Sequence, residues 1–145
     1  MRFVIRVYGV IINSDDQILL SSEIYQGRKF VKFPGGGLEF GEGTREGLQR
    51  EIREELGLKA EVEEHLYTTD FYLKSAFNPD DQILSVYYKV WIPEWKKIST
   101  EPWPPVYDER KERFHWVNRD FLHENMLNFP ADKTVIKIIK HSKKQ

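Results

Sequence analysis

The sequence predicts an α+β domain built on a mixed β-sheet. Three observations carry that expectation. Segments of strand character fill the first two thirds of the chain, one amphipathic helix is inserted among them at Thr44–Gly57, and a second helix follows near the end. Strands and helices that do not alternate regularly argue against a doubly wound parallel sheet. The length of 145 residues fits one domain over 1–145, able to bury about two thirds of its unfolded surface without staples.

The elements follow in order. Residues 1–12 hold an apolar run that Arg6 interrupts, and Asn13-Ser14-Asp15-Asp16 follows where a signal peptide needs small residues. The run is therefore a buried strand, turning into a second at Gln17–Ser21. Lys29–Phe33 is a short strand broken by Pro34 and three glycines. In Thr44–Gly57 the residues Leu48, Ile52 and Leu56 recur every four positions, Thr44 is the expected N-cap, and Gly57 suits a left-handed C-terminal residue. Two long β segments, Glu61–Leu73 and Gln82–Ile92, come next. In the second, Leu84, Val86, Tyr88, Val90 and Ile92 alternate with Ser85, Tyr87, Lys89 and Trp91, which predicts one better-buried face. Arg113–Val117 is a further strand, and Asp132 is expected to cap a last helix carrying Val135, Ile136, Ile138 and Ile139.

Composition removes several classes of function. The absence of cysteine excludes disulfides, thiolate metal sites and a cysteine nucleophile. A net charge of −1 argues against a generally basic DNA binder. No stretch of about 18 apolar residues is present, so no membrane span and a cytoplasmic location are expected. The charge is nevertheless uneven. Residues 36–64 hold nine Glu against three Arg and one Lys, while residues 133–145 hold five Lys and no acid. Seven of the nine glycines lie between Gly35 and Gly57, within or beside the acidic stretch.

On a helical wheel Glu51, Glu54 and Glu55 share one face with Gly47, beside the apolar stripe of Leu48, Ile52 and Leu56. Like charges at this spacing repel by a few tenths of a kcal/mol per pair, and an interior helical glycine costs roughly 1 kcal/mol more. A hard divalent cation between carboxylates and substrate phosphates would compensate, with Gly47 giving it room. Taken alone, such glutamates are more often solvated surface.

The full spacing is Gly36-x5-Glu42-x7-Arg50-Glu51-Ile52-x-Glu54-Glu55-x-Gly57-Leu58. It resembles the Nudix box, the signature of the Nudix hydrolases, at each constrained position. From background residue frequencies, a chance match in a chain this long is on the order of one in ten million. The lead-in Phe33-Pro34-Gly35-Gly36-Gly37 is also similar to the family's. The resemblance implies an α/β/α sandwich with a mixed central sheet. It implies hydrolysis of a phosphoanhydride in a nucleoside diphosphate-linked substrate, by water, with Mg²⁺ or Mn²⁺. Glu51, Glu54, Glu55 and the Gly35 carbonyl would be metal ligands, and Arg50 would orient a glutamate. Glu42, before the helix, is expected to bond backbone amides. The general base is either a box glutamate, with Glu54 among the catalytic residues, or a later carboxylate, Glu109 first and Glu112 second. His115 is expected to be structural.

The substrate is less constrained. Arg6, Arg28, Lys29 and Lys32 are candidate phosphate contacts, with Arg6 and Arg28 preferred; Tyr8, Phe71, Tyr72 and Trp103 are candidates to stack on a base. Asn128-Phe129-Pro130-Ala131-Asp132 is similar to a segment beside the base in MutT-like pyrophosphatases, which would let Asp132 accept from an exocyclic amine. A nucleoside triphosphate or similar small nucleotide is the expected substrate. The alternatives are a nucleotide-sugar hydrolase or a non-hydrolytic nucleotide sensor, though sensors usually lose box carboxylates that this chain keeps. The resemblance leaves a homodimer open.

Overall fold

The structure is a computed structural model describing residues 1–108 and 111–142, so Glu109 lies outside the described residues. The described chain runs β1 (Arg2–Ile11), β2 (Gln17–Tyr25), β3 (Arg28–Lys32), β4 (Gly35–Gly37), α1 (Thr44–Leu56), β5 (Glu61–Thr68), β6 (Asp81–Trp91), β7 (Arg113–Asn118) and α2 (Pro130–His141). One sheet has the order β4-β1-β6-β5, and a second has β3-β2-β7. β1 and β6 are parallel, from Arg2 opposite Asp81 to Ile11 opposite Val90, and the other pairs are antiparallel. The sheet is therefore mixed, as expected. A parallel pair needs a long crossover, and the connection from β1 to β6 carries β2, β3, β4, α1 and β5.

β1 shows how the layers arise. Val7 and Ile11 point to one face and pack with Leu48 and Ile52 of α1. Tyr8 and Val10 point to the other and pack with Val135, Ile136 and Ile139 of α2. With both faces covered, the result is an α/β/α sandwich. Each fully buried aliphatic of these two cores contributes roughly 1.5–3 kcal/mol.

Several local expectations need correction. In β6 the buried residues are Asp81, Ile83, Ser85 and Tyr87, after which Tyr88 and Val90 take over. Since helices cover both faces, burial changes sides at Tyr87–Tyr88 rather than following one face. β5 ends at Thr68, not Leu73: at Thr69 the hydroxyl accepts from Ser85 N at 3.0 Å and takes the place of a ladder partner. α1 is capped by Gly43, whose amide donates to Glu46 Oε1 at 2.9 Å. Thr44 is already helical, and its hydroxyl bonds Tyr88 Oη at 2.6 Å. α2 begins at Pro130, so Asp132 lies in the first turn, buried, and is not the cap. No described helix is long and apolar enough to cross a membrane.

Candidate active site

β4 and α1 bring the glycines against the acidic helix face. Gly35 pairs with Tyr8 at φ 151°, and a Cβ there would stand 2.0 Å from the Val7 carbonyl oxygen. At Gly36 a Cβ would meet the Glu51 carboxylate at 2.5 Å. Glycine at both positions lets the strand edge and the first helix carboxylate occupy the same small volume. Gly47 has a different task from the one expected. Its missing side chain makes room for Leu38 and Glu42, at 2.6 and 2.8 Å from a notional Cβ, and not for a cation.

Arg50 organises the acidic face. Its Nε and Nη2 donate to the two oxygens of Glu42 at 2.9 and 2.7 Å, a bidentate pair. Nη2 also donates to the Gly37 carbonyl at 3.0 Å, tying α1 to β4. Nη1 reaches Glu51 Oε1 at 3.0 Å and both Glu54 oxygens at 3.3 Å. The guanidinium bonds, with the Glu39 amide, hold the Glu42 carboxyl down to about 2. Glu42 thus accepts from a backbone amide, as expected, that of Glu39, and from Arg50 besides.

Glu55 faces inward. Its Oε2 is buried without a hydrogen-bond partner. Burial pushes the carboxyl up to about 8; Lys32 pulls it back, while Glu112 and Glu51 add to the rise. Glu112, reached through the segment before β7, lies beside it, accepts from the Ser21 hydroxyl and pairs with Lys32 Nζ at 3.4 Å. Among the described residues no three histidine or carboxylate side chains stand together so as to hold a metal ion by themselves. The donor set nonetheless fits a hard cation: mutually repelling oxygens, one of them orphaned and buried, beside a backbone edge unshielded by side chains.

A cleft of about 940 Å³ opens next to this cluster, lined by Arg6, Arg28, Lys32, Tyr87 and Asp132 among others. Arg6 Nε donates to Tyr8 Oη at 2.6 Å, and Glu51 and Glu55 both act on its charge. Arg28 donates to the Ala76 carbonyl at 2.9 Å and lies over the Phe77 ring. Asp132 is 1% exposed; it accepts from Tyr87 Oη at 2.5 Å through Oδ1, while Oδ2 is buried without a partner. Burial pushes its carboxyl up to about 7, against the opposing pull of Tyr87 and Lys32. Rings of Tyr25, Phe30, Phe77 and Phe129 form a chain of aromatic contacts along one wall.

The structure thus brings Arg6, Arg28 and Asp132 into one cleft, and Glu51 and Glu55, which do not line it, act on the charge of Arg6. Glu54 is more exposed, held by Arg50. Among the expected aromatics only Tyr8 lines the cleft. Trp103 packs edge-on against His115, while Phe71 and Tyr72 are exposed outside it. His115 is buried and bonded on both ring nitrogens, to Ser22 Oγ at 2.7 Å and the Glu101 carbonyl at 2.9 Å. Phe30, Phe77 and Phe129 were not among the expected site residues, because nothing in their local spacing distinguishes them from core.

The same architecture occurs in solved proteins. The ORF135 protein of E. coli superposes with a TM-score of 0.67 at 22% identity, covering 95% of this chain and 89% of that one. A NUDIX hydrolase from Nitrosomonas europaea gives 0.66 at 24%, covering 93% and 86%. MutT from Aliivibrio salmonicida and Vibrio cholerae gives 0.58 at 21%, covering 95% and 97%. At these identities the likeness establishes the fold alone. The family model of the NUDIX domain matches residues 2–138, all but the ends, and the chain therefore belongs to the Nudix hydrolases.

Proposed function

We propose that this Nudix hydrolase cleaves a phosphoanhydride bond of a nucleoside triphosphate or similar small nucleotide. The observation that carries the reading is the cleft itself. A buried carboxylate oxygen without a partner, Asp132 Oδ2, lies in its wall, and two cations of the same wall, Arg6 and Lys32, feel the charge of Glu55 in the neighbouring acidic cluster. The first is an acceptor awaiting a donor on a base, such as an exocyclic amine. The acidic cluster fits cations that accompany phosphates.

Glu51, Glu54, Glu55 and the Gly35 carbonyl would hold Mg²⁺ or Mn²⁺, which supplies charge neutralisation at the phosphate oxygens. Arg50 keeps Glu51 and Glu54 in place. Arg6 faces the phosphates from β1. Glu112 is the carboxylate beside Glu55 able to take the proton of the attacking water, and Glu54 is the alternative within the box. The base stacks along the aromatic wall and is read by Asp132.

The test is phosphate or pyrophosphate release with and without Mg²⁺ across nucleoside triphosphates, dinucleotides and nucleotide sugars. Cation-dependent turnover of triphosphates is expected. Turnover confined to nucleotide sugars would replace the substrate assignment, and tight binding of one compound without turnover would make the protein a sensor.

A further inference from the structure

Lys32 is the one cleft-lining lysine that the structure buries almost completely, at 6% exposure. It ends β3, opposite Ser21 of β2. Its ammonium donates to Glu112 Oε2 and to the Phe33 carbonyl, both at 3.4 Å, the long end of hydrogen bonding. The third N–H has no partner among the described residues. Burial by itself would lower the ammonium, but Glu112, Glu55, Tyr8 and Glu23 outweigh it and the group stays charged. A buried cation with one unspent donor and two loose ones is costly unless something else completes its shell.

Its position says what that is. Glu112 and Glu55 are the carboxylates that act most strongly on Lys32, so it stands close to the hydrolytic cluster. Asp132, which lines the same cleft, also feels its charge. Lys32 thus lies in the wall that holds Asp132 and against the carboxylates beside α1, so a nucleotide with its base at Asp132 and its outer phosphates toward α1 carries its nucleoside-bearing phosphate past Lys32. We propose that Lys32 is the donor for that phosphate, gripping a non-bridging oxygen with its free N–H and fixing how far the nucleotide slides along the cleft. The assignment rests on the nucleotide reading above. It makes Lys32 a residue that selects for a phosphate on the nucleoside, separate from Arg6 and from the metal-binding carboxylates.

The experiment compares wild type with Lys32→Met and Lys32→Arg, using the best-cleaved nucleoside triphosphate, its α,β-methylene analogue and the unphosphorylated nucleoside. Lys32→Met is expected to raise KM and the analogue's Kd by roughly ten-fold or more, as loss of one charge-assisted hydrogen bond requires. It leaves nucleoside binding unchanged, and Lys32→Arg recovers part of the loss. If Lys32→Met does not fold, Lys32→Gln gives the same comparison. Unchanged analogue binding in a folded neutral variant overturns the proposal alone, as does an equal loss for nucleoside and analogue. Wild type that neither binds nor cleaves any triphosphate overturns the nucleotide reading, and this proposal with it.

Discussion

Tyr87 donates a 2.5 Å hydrogen bond to Oδ1 of Asp132 across the cleft, and the second carboxylate oxygen is left buried and unpartnered. The pair joins the middle of β6 to the first turn of α2. Its cost has a measurable pH signature. The Asp132 carboxyl titrates at about 7 in the folded protein, raised by burial, against roughly 4 when unfolded. Below pH ~4 both states hold the proton; between ~4 and ~7 only the native state keeps it, so stability falls as pH rises through that window. Asp132→Asn should remove this contribution, leaving the slope due to Glu55, and stabilise the protein above pH ~7 by on the order of 2–4 kcal/mol, while still accepting from Tyr87. Urea unfolding at pH 5 and pH 8 decides it: parallel slopes in the two proteins would refute the assignment.

Arg50 should not be replaceable by lysine. Its paired bonds to Glu42 and its contact with the Gly37 carbonyl use the planar fork, which an ammonium lacks. Both Arg50→Ala and Arg50→Lys are expected to lose about two orders of magnitude in kcat with little change in KM, an effect of the size general acid–base or orienting groups supply. Steady-state kinetics check this, and near-wild-type turnover in the lysine variant would contradict it.

Cation binding should be visible without turnover. Mg²⁺ or Mn²⁺ that binds only the native state raises Tm with concentration. The rise should nearly vanish in Glu55→Gln, where the orphaned group can no longer give up a proton to meet the cation. Glu54→Gln and Glu55→Gln should each lower turnover at least about a hundredfold while keeping a cooperative melt. An undiminished Tm response in Glu55→Gln would remove that residue from the ligand set.

The two glycines of β4 should fail in different ways. Gly35→Ala drives a Cβ into the Val7 backbone at a positive φ, and a loss of about 3 kcal/mol or more is expected. Gly36→Ala meets only the end of the Glu51 side chain, so about 1 kcal/mol of stability is lost while cation affinity falls. Thermal melts with and without Mg²⁺ separate the two. Equal melting losses with unchanged cation response would contradict this division.

What could be read from the sequence was local. Glu51, Glu54 and Glu55 belong to one helix, whose period alone puts them on one face. The glycine turn before them is equally short-range. Asp132 was misplaced as a cap because Asp before an apolar run is a start signal; Pro130, favoured at the first helical position, marked the start better. Lys32 and Glu112 could not be singled out by spacing. They are 80 positions apart and meet because β2 pairs with β3 on one side and β7 on the other. The change of burial within β6 likewise depends on which helix covers which face, a property of the assembled layers.

Those layers also act as a gauge. α1 and α2 lie on opposite faces of the strand pair β1–β6, and the cleft is lined by residues of α2 but by none of α1, so on the proposed reading the carboxylates and the Asp132 contact belong to different layers of the sandwich. A compound must be long enough to bridge them to engage both. On this layout a bare pyrophosphate or an isolated nucleoside engages only one layer, and the thickness of the fold measures the molecule before any side chain reads it.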